Sequence, residues 1–256
     1  MIYLYGLVDA PPAAVAARLD GVGGLQAPPV ATDAGRWTLV SSAHDAGPVA
    51  PRRRDMLAHT RVVEAMMAEG LVLPARFGLV AEDVPGVRAL IAAQEGALAA
   101  QAARIAGCSA YGVRVDFPQA PALAATLAAA PDLQRARDRL LRTPHPAPFA
   151  QADFGRALAE ALDRRRGLAQ KALLVALRPL VRDHVLRRPD SDCEVLCVEA
   201  LVPEGRLAAV EQVLATAAAD CGFAGGAPAR IVLTGPAPAY HFVRLSLGTG
   251  AQEAAA

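Results

Sequence analysis

Ile2-Tyr3-Leu4-Tyr5-Gly6-Leu7-Val8 (IYLYGLV) opens the chain. These residues are strong strand formers, and Gly6 marks a weak point or a bulge within the strand. The elements that come after this strand set the fold class. Pro11-Pro12 introduces a short helix over Ala13–Leu19, ended by Gly21, Gly23 and Gly24. Arg36–Ser41 (RWTLVS) reads as a second strand. Pro51–Glu69 carries Met56, Val63, Met66 and Met67 at helical spacing, and Gly70 sits where a C-terminal glycine belongs. Leu71–Leu73 is a short strand ended by Pro74. Asp83 caps a helix that runs to about Ala106 and is closed by Gly107. Tyr111–Phe117 places Tyr111, Val113, Val115 and Phe117 on one face, as a half-buried strand does.

Beyond that strand the prolines crowd together: Pro118, Pro121, Pro131, Pro144, Pro146 and Pro148. Short helices over Ala122–Ala129 and Asp132–Leu141 fit between them, as a connector. A long helix is expected from Asp153 to Leu186, with Leu158, Leu162, Ala169, Leu173, Leu177 and Leu180 as its apolar stripe and a kink at Pro179. Glu194–Val202 reads as a strand, Arg206–Ala219 as an amphipathic helix, and Ala229–Thr234 and Tyr240–Leu247 as two further strands. Strands separated by one helix and then by a hairpin are the mark of split βαβ units of the ferredoxin-like sort. The expectation is an α+β fold of two domains: residues 1–118, then residues 119–256 with the helical connector and the long helix. The βαββ orders of the two halves are candidates for a topological echo, which no residue repeat demonstrates.

Composition closes off several classes. The 256 residues are enough for a large core, and 54% of them are hydrophobic, but only 4% are aromatic, so alanine-rich helices must pack closely. A net charge of +1 argues against a strongly basic nucleic-acid binder. No uncharged apolar run approaches the roughly 20 residues of a membrane-spanning helix. The N-terminus lacks a basic segment and a cleavage pattern, so no signal peptide is expected and a cytoplasmic setting is the default. Four cysteines (Cys108, Cys193, Cys197 and Cys221) do not make a disulfide scaffold in a chain of this size.

The search for reactive groups returns little. A phosphate loop needs a lysine after glycine, but Lys171, the only lysine, follows Leu168-Ala169-Gln170 inside a helix. Gly21-Val22-Gly23-Gly24 is not a dinucleotide fingerprint, and neither GxSxG nor HExxH occurs. Cys193 and Cys197, four apart in a strand, share a face but sit about 13 Å apart, too far for one zinc without a bend. Arg52-Arg53-Arg54 and Arg164-Arg165-Arg166 point about 100° apart on a helix, so neither triplet makes a flat phosphate-binding face. His59, Glu64, Arg76 and Asp83 would be the best catalytic set if they converged in a cleft.

Two segments stand apart from generic core. Val72-Leu73-Pro74-Ala75-Arg76-Phe77-Gly78 (VLPARFG) holds an arginine between large apolar residues, able to snorkel or to pair with Asp83. Thr234-Gly235-Pro236-Ala237-Pro238-Ala239-Tyr240-His241-Phe242 (TGPAPAYHF) is a rigid turn with aromatic anchors behind it. In this order and at these distances from the ends, the two segments resemble the gas vesicle accessory proteins of the GvpL/GvpF family. The opening Tyr3-Leu4-Tyr5-Gly6 resembles that family's YxYG start, and His59 precedes VLPARFG as in its H…VLPxRFG arrangement. The chain departs from the pattern at Ala237, where the family usually has Trp, and at Ala239, where it has a second proline.

The resemblance implies two α+β domains, the first a modified ferredoxin-like unit. It implies no enzymatic activity and no cofactor or metal. It implies a factor that binds the small, hydrophobic major shell protein, and other accessory proteins, and that assists nucleation or growth of the gas vesicle. Its location would be the gas vesicle, and the cytoplasm before assembly. The motif residues it singles out, for structure or for partner binding, are Tyr5, Gly6, His59, Pro74, Arg76, Phe77, Gly78, Gly235, Pro236, Tyr240 and Phe242. The rival readings are a small-molecule-binding protein or enzyme on a ferredoxin-like scaffold using His59 and Arg76, and a minor structural component of the shell.

Overall fold

The computed structural model describes residues 1–45, 47, 49–145 and 147–247, so Pro146 of the proline-rich connector lies outside the described residues. The chain is mixed α+β and divides into two units. The first comprises Met1–Ser109 together with the C-terminal residues from Ala237; the second is Ala110–Pro236. The expected boundary at 118/119 therefore differs from the observed grouping at both ends. Residues 110–116 lie in a strand of the second sheet, and the described residues after Pro236 return to the first unit.

In the first unit the elements run β1 (Ile2–Val8), α1 (Pro12–Leu19), β2 (Val30–Ala34), β3 (Trp37–Ala43), α2 (Arg53–Met67), β4 (Val72–Pro74), β5 (Val80–Ala81), α3 (Val84–Ala93) and α4 (Glu95–Ile105). The sheet order is β2-β3-β1-β4, with β5 also paired to β1, and the pairs are antiparallel. β1 is central and buried almost throughout, which is why it reads as a continuous apolar run. Its register against β3 shifts between Leu4 and Gly6, a β-bulge. The bulge changes parity: Tyr3 and Tyr5 share a face with Val8 rather than with Leu7. That face packs on Val15 and Leu19 of α1 and on Val62, Val63 and Met66 of α2.

The second unit runs β6 (Cys108–Asp116), α5 (Gln119–Ala128), α6 (Pro131–Arg142), α7 (Pro148–Leu177), β7 (Asp183–Leu186), β8 (Glu194–Pro203), α8 (Leu207–Asp220) and β9 (Arg230–Ala237). Its sheet order is β7-β8-β6-β9. Relabelled within each unit, both sheets follow the same second-third-first-fourth order, so the βαββ echo extends to the strand arrangement. Val113, Val115, Phe117, Leu173, Leu177, Leu196, Val198, Val210, Leu214 and Phe223 form its core. β8 was expected to bury one face; as an inner strand it buries both, with Val195, Leu196, Ala200 and Leu201 fully enclosed.

Four expectations are corrected. The long helix stops at Leu177 rather than Leu186: a 3-10 turn holding Pro179 comes next, and Asp183–Leu186 is strand paired with β8. The helix expected from Asp83 to Ala106 is two helices meeting at Gln94, whose backbone leaves the helical region (φ −109°, ψ 13°). β2 is not located by the sequence and β5 is not expected, because VATDA and the two-residue VA are too short or too polar to signal strand. Tyr240–Leu247 is not a strand. Its backbone is satisfied by local turns, with Phe242 N and Val243 N donating to Ala239 O (3.0 and 3.1 Å), and by side chains: Gln101 Nε2 donates to Arg244 O (2.9 Å), Arg244 N donates to Gln101 Oε1 (2.6 Å), and Gln94 Nε2 donates to Ser246 O (3.1 Å). Phe242, Val243 and Leu247 are buried, which explains the strand-like pattern.

Gly6 has φ 151°, and a Cβ there would lie 2.6 Å from Leu73 O on β4. Gly6→Ala is expected to lower stability by about 3 kcal/mol through strain and backbone clash. Urea unfolding checks this; an unchanged midpoint would mean that β4 does not approach the bulge so closely.

Candidate functional site

The motif residues of the first unit meet around one imidazole. β1 supplies Tyr3 and Tyr5, two residues apart and so on one face; α2 supplies His59; the segment after β4 supplies Ala75, Phe77 and Gly78; the C-terminal segment supplies Tyr240. The His59 ring is stacked on Tyr5 (5.6 Å, 27°), edge-on to Tyr3 (5.6 Å, 89°) and Phe77 (5.8 Å, 80°), and tilted against Tyr240 (5.9 Å, 31°). Each such pair contributes about 0.5–1.5 kcal/mol beyond its buried area. Phe77 is half-buried, and His59 is only 2% exposed.

The hydrogen bonds allow one proton arrangement. Ala75 O can only accept, so His59 Nε2 carries the proton and donates to it (3.2 Å). Nδ1 must then accept, and Tyr3 O–H donates to it (2.8 Å). The Tyr3 oxygen in turn accepts from Gly78 N–H (3.2 Å). Gly78 has φ 90°, a conformation that suits glycine and aims this N–H inward. Tyr5 OH accepts from Leu25 N–H (2.8 Å) and shares a hydrogen bond with Ser42 Oγ (3.2 Å).

Burial pushes the His59 pKa down to about 4, partly offset by the bond to Ala75 O. Burial also raises Tyr3, Tyr5 and Tyr240 above the ordinary phenol. The Tyr240 hydroxyl is buried beside Thr60, whose own hydroxyl donates to Met56 O (3.0 Å), and it completes no hydrogen bond of ordinary geometry. At neutral pH the cluster is therefore an uncharged, proton-ordered core, with no group poised for acid–base chemistry. A cavity of about 190 Å³ lies on Leu25, Gln26, His44, Val49, Arg52 and Asp55, and His59 is not among its walls.

The other singled-out residues lie apart from this cluster or beside it. Gly6 and Pro74 face each other across β1 and β4, and Phe242 is buried. Arg76 is exposed, and Asp83 caps α3 by accepting from Gly86 N (2.8 Å) rather than pairing with it. Glu64 is exposed, so His59, Glu64, Arg76 and Asp83 do not gather in a cleft. Gly235 and Pro236, joined by a cis peptide, belong to the second unit, where Gly235 lies against the Tyr111 ring. Cys193 and Cys197 are buried and their thiols are pushed up by burial, which makes them poor nucleophiles. Among the described residues no group of three or more His, Cys, Asp or Glu is placed to hold a metal ion, and no helix is long and apolar enough to cross a membrane. Tyr3 and Ala75 were missed as site residues; the Tyr-x-Tyr spacing of β1 was the available signal for the first, and nothing local marks the second.

The chain matches the family described as "Gas vesicle synthesis protein GvpL/GvpF" over residues 1–244. Among solved structures it is similar to the gas vesicle protein GvpF from Anabaena sp. PCC7120, at 22% identity and a TM-score of 0.76, covering 96% of this chain and 98% of that one. It is also similar to GvpF from Microcystis aeruginosa, at 21% identity and a TM-score of 0.68, covering 95% and 99%. No curated protein is significantly similar to it.

The buried imidazole makes stability acid-sensitive. His59 takes up a proton near pH 6.5 in the unfolded chain but only near pH 4 when folded. Its contribution is thus complete above the unfolded value and falls by about 3 kcal/mol as pH drops from roughly 6.5 to 4. NMR titration of the His59 ring should give a midpoint near 4; a midpoint near 6.5 would show the ring to be solvated. Tyr3→Phe strands Gly78 N–H and His59 Nδ1 and should lower stability by about 1–3 kcal/mol in chemical denaturation.

Proposed function

The chain belongs to the gas vesicle synthesis protein GvpL/GvpF family, and on that premise we propose that it is a non-enzymatic assembly factor that binds the major shell protein and assists nucleation or growth of the gas vesicle. The family match across residues 1–244 is the observation that carries this reading. The uncharged state of the Tyr3–His59 cluster supports a structural rather than catalytic use of the motif residues, and so does the dispersal of the would-be catalytic set.

A shell subunit with a large apolar face aggregates unless it is covered. Two edges of the fold are suited to covering it. β2 and β7 are edge strands, with Val30 56% and Leu186 50% exposed at their ends; such edges accept an added strand. We read the two units as ferredoxin-like domains on the support of their shared strand order, the first modified by β5, α3 and α4. The factor would act in the cytoplasm before its subunits join the vesicle.

The test is a titration with the purified cognate major shell protein. Alone, the shell protein is expected to pellet; with one equivalent of the folded chain it should stay in solution and co-elute. Pelleting undiminished by a chain that circular dichroism shows to be folded would overturn the reading. Abundance in purified vesicles comparable to that of the shell protein would favour a structural component instead.

A further inference from the structure

α7 has two faces of different character. Leu162, Ala169, Leu173 and Leu177 are buried in the second unit's core. On the opposite side, Leu168 is 72% and Val175 60% exposed, seven residues apart. Arg164, Lys171 and Arg178 are exposed and interleave with them, giving the run 164-168-171-175-178 at alternating spacings of four and three. That spacing keeps all five on one helical face.

The charges on this face are unbalanced. Elsewhere this region pairs its arginines locally: Arg135 with Asp132, Arg156 with Asp153, and Arg166 with Asp163. Arg165 is also engaged, donating to Gly222 O (2.6 Å) and Phe223 O (3.1 Å). From Arg164 to Arg178 (RRRGLAQKALLVALR) the sequence holds no Asp or Glu. Arg164, Lys171 and Arg178 have no ion-pair partner among the described residues.

The N-terminal half of the same helix shows what such a face accepts. Ala150, Phe154 and Ala157, spaced four and three apart, meet Leu133, Ala136 and Leu140 of α6 around an apolar groove of about 440 Å³. The helix there, α6, is amphipathic and net basic, with four arginines against two aspartates. The same spacing runs on through the buried Ala161 and through Arg164 to the exposed Leu168 and Val175. α6 shows that this stripe packs a helix, while the cations of the open part set the charge of its occupant. The repeat drifts by about 20° per heptad on a straight helix, so the open strip lies beside the α6 contact.

We infer that the outward face of α7, centred on Leu168, Lys171 and Val175, docks an acidic amphipathic helix of a partner protein. Two apolar residues seven apart on that helix cover Leu168 and Val175, and its flanking carboxylates meet Arg164, Lys171 and Arg178. A second copy of this chain is a poor occupant: paired antiparallel about a two-fold axis, Lys171 meets Lys171 and Arg164 meets Arg178. A lipid surface is less suited, because the strip offers no aromatic side chain and only two large apolar ones. The inference is independent of shell-protein binding and holds or fails separately.

The probe is a synthetic helical peptide of about 20 residues, with Leu at seven-residue spacing and Glu on both flanks. The intact chain is expected to bind it in fluorescence anisotropy, and L168E/V175E, at exposed positions, to weaken binding by at least about tenfold. R164E/K171E should transfer the preference to a peptide with Lys in place of Glu. Carbodiimide should couple the acidic peptide's carboxylates to Lys171, the only lysine, and peptide mapping of the adduct distinguishes this site from the N-terminal amine. The inference is overturned by equal binding of the acidic and basic peptides, by binding untouched by L168E/V175E, or by no binding of the acidic peptide, with L168E/V175E-sensitive binding to phosphatidylserine vesicles then assigning the face to a lipid surface. A dimer of the chain dispersed by L168E/V175E would assign the face to a second copy and overturn it equally.

Discussion

The hydrogen bond from Tyr3 O–H to His59 Nδ1 holds the first unit's parts in one arrangement. It links the first strand to α2, and the imidazole's other nitrogen links α2 to the segment after β4. Because Ala75 O can only accept, the tautomer is decided, and Tyr3 has to donate. Its oxygen is then free to accept from Gly78 N–H, which fixes the turn that carries Phe77 over the ring. The arrangement depends on the Gly6 bulge, which allows β4 to approach β1 and puts Tyr3 and Tyr5 on the helical side. Water would compete for each of these bonds at the surface. Inside a ring of aromatic side chains it does not, and the bonds gain accordingly.

The two units solve the same topological problem with different materials. Each places its first strand in the interior of the sheet, between the third and the fourth. The first unit secures that strand with tyrosines and a histidine. The second relies on aliphatic packing of Val113, Val115, Leu196 and Val198 against α7 and α8, with Phe117 on Phe223 (5.3 Å) among its few aromatic contacts. The long helix serves two purposes there: one side completes the core, and the other presents cations and apolar residues to solvent. This separates the buried residues around His59 from the exposed face of the long helix. That division is physically sensible: a helix face can change without disturbing a buried polar network.

Much of the fold was legible in the order of residues alone. β1, α2, β6, β8 and α8 follow from periodicity, because each has one strongly apolar face or is apolar throughout. β2 and β5 were not legible, since a five-residue strand with Thr and Asp and a two-residue strand carry no pattern above a loop. The segment after Tyr240 misled because burial of Phe242, Val243 and Leu247 imposes strand-like apolarity even when local turns and glutamine side chains of α4 and the α3–α4 junction, not a neighbouring strand, satisfy the backbone. The candidate site was legible only as motifs. Tyr5, His59, Phe77 and Tyr240 lie in four separate stretches, and nothing in their spacing states that they touch.

By itself, then, the sequence determined the α+β class, most of the helices and inner strands, the likeness to a gas vesicle family and the want of a recognisable catalytic motif. Those are properties of local pattern and of composition, which act over a few residues at a time. The tertiary structure decided which chain segments close on His59, that the imidazole is neutral, and that Leu168 and Val175 stay uncovered while Leu173 and Leu177 do not. Burial, pKa and exposure are set by what lies across space from a residue, and that is unknown until the chain has folded.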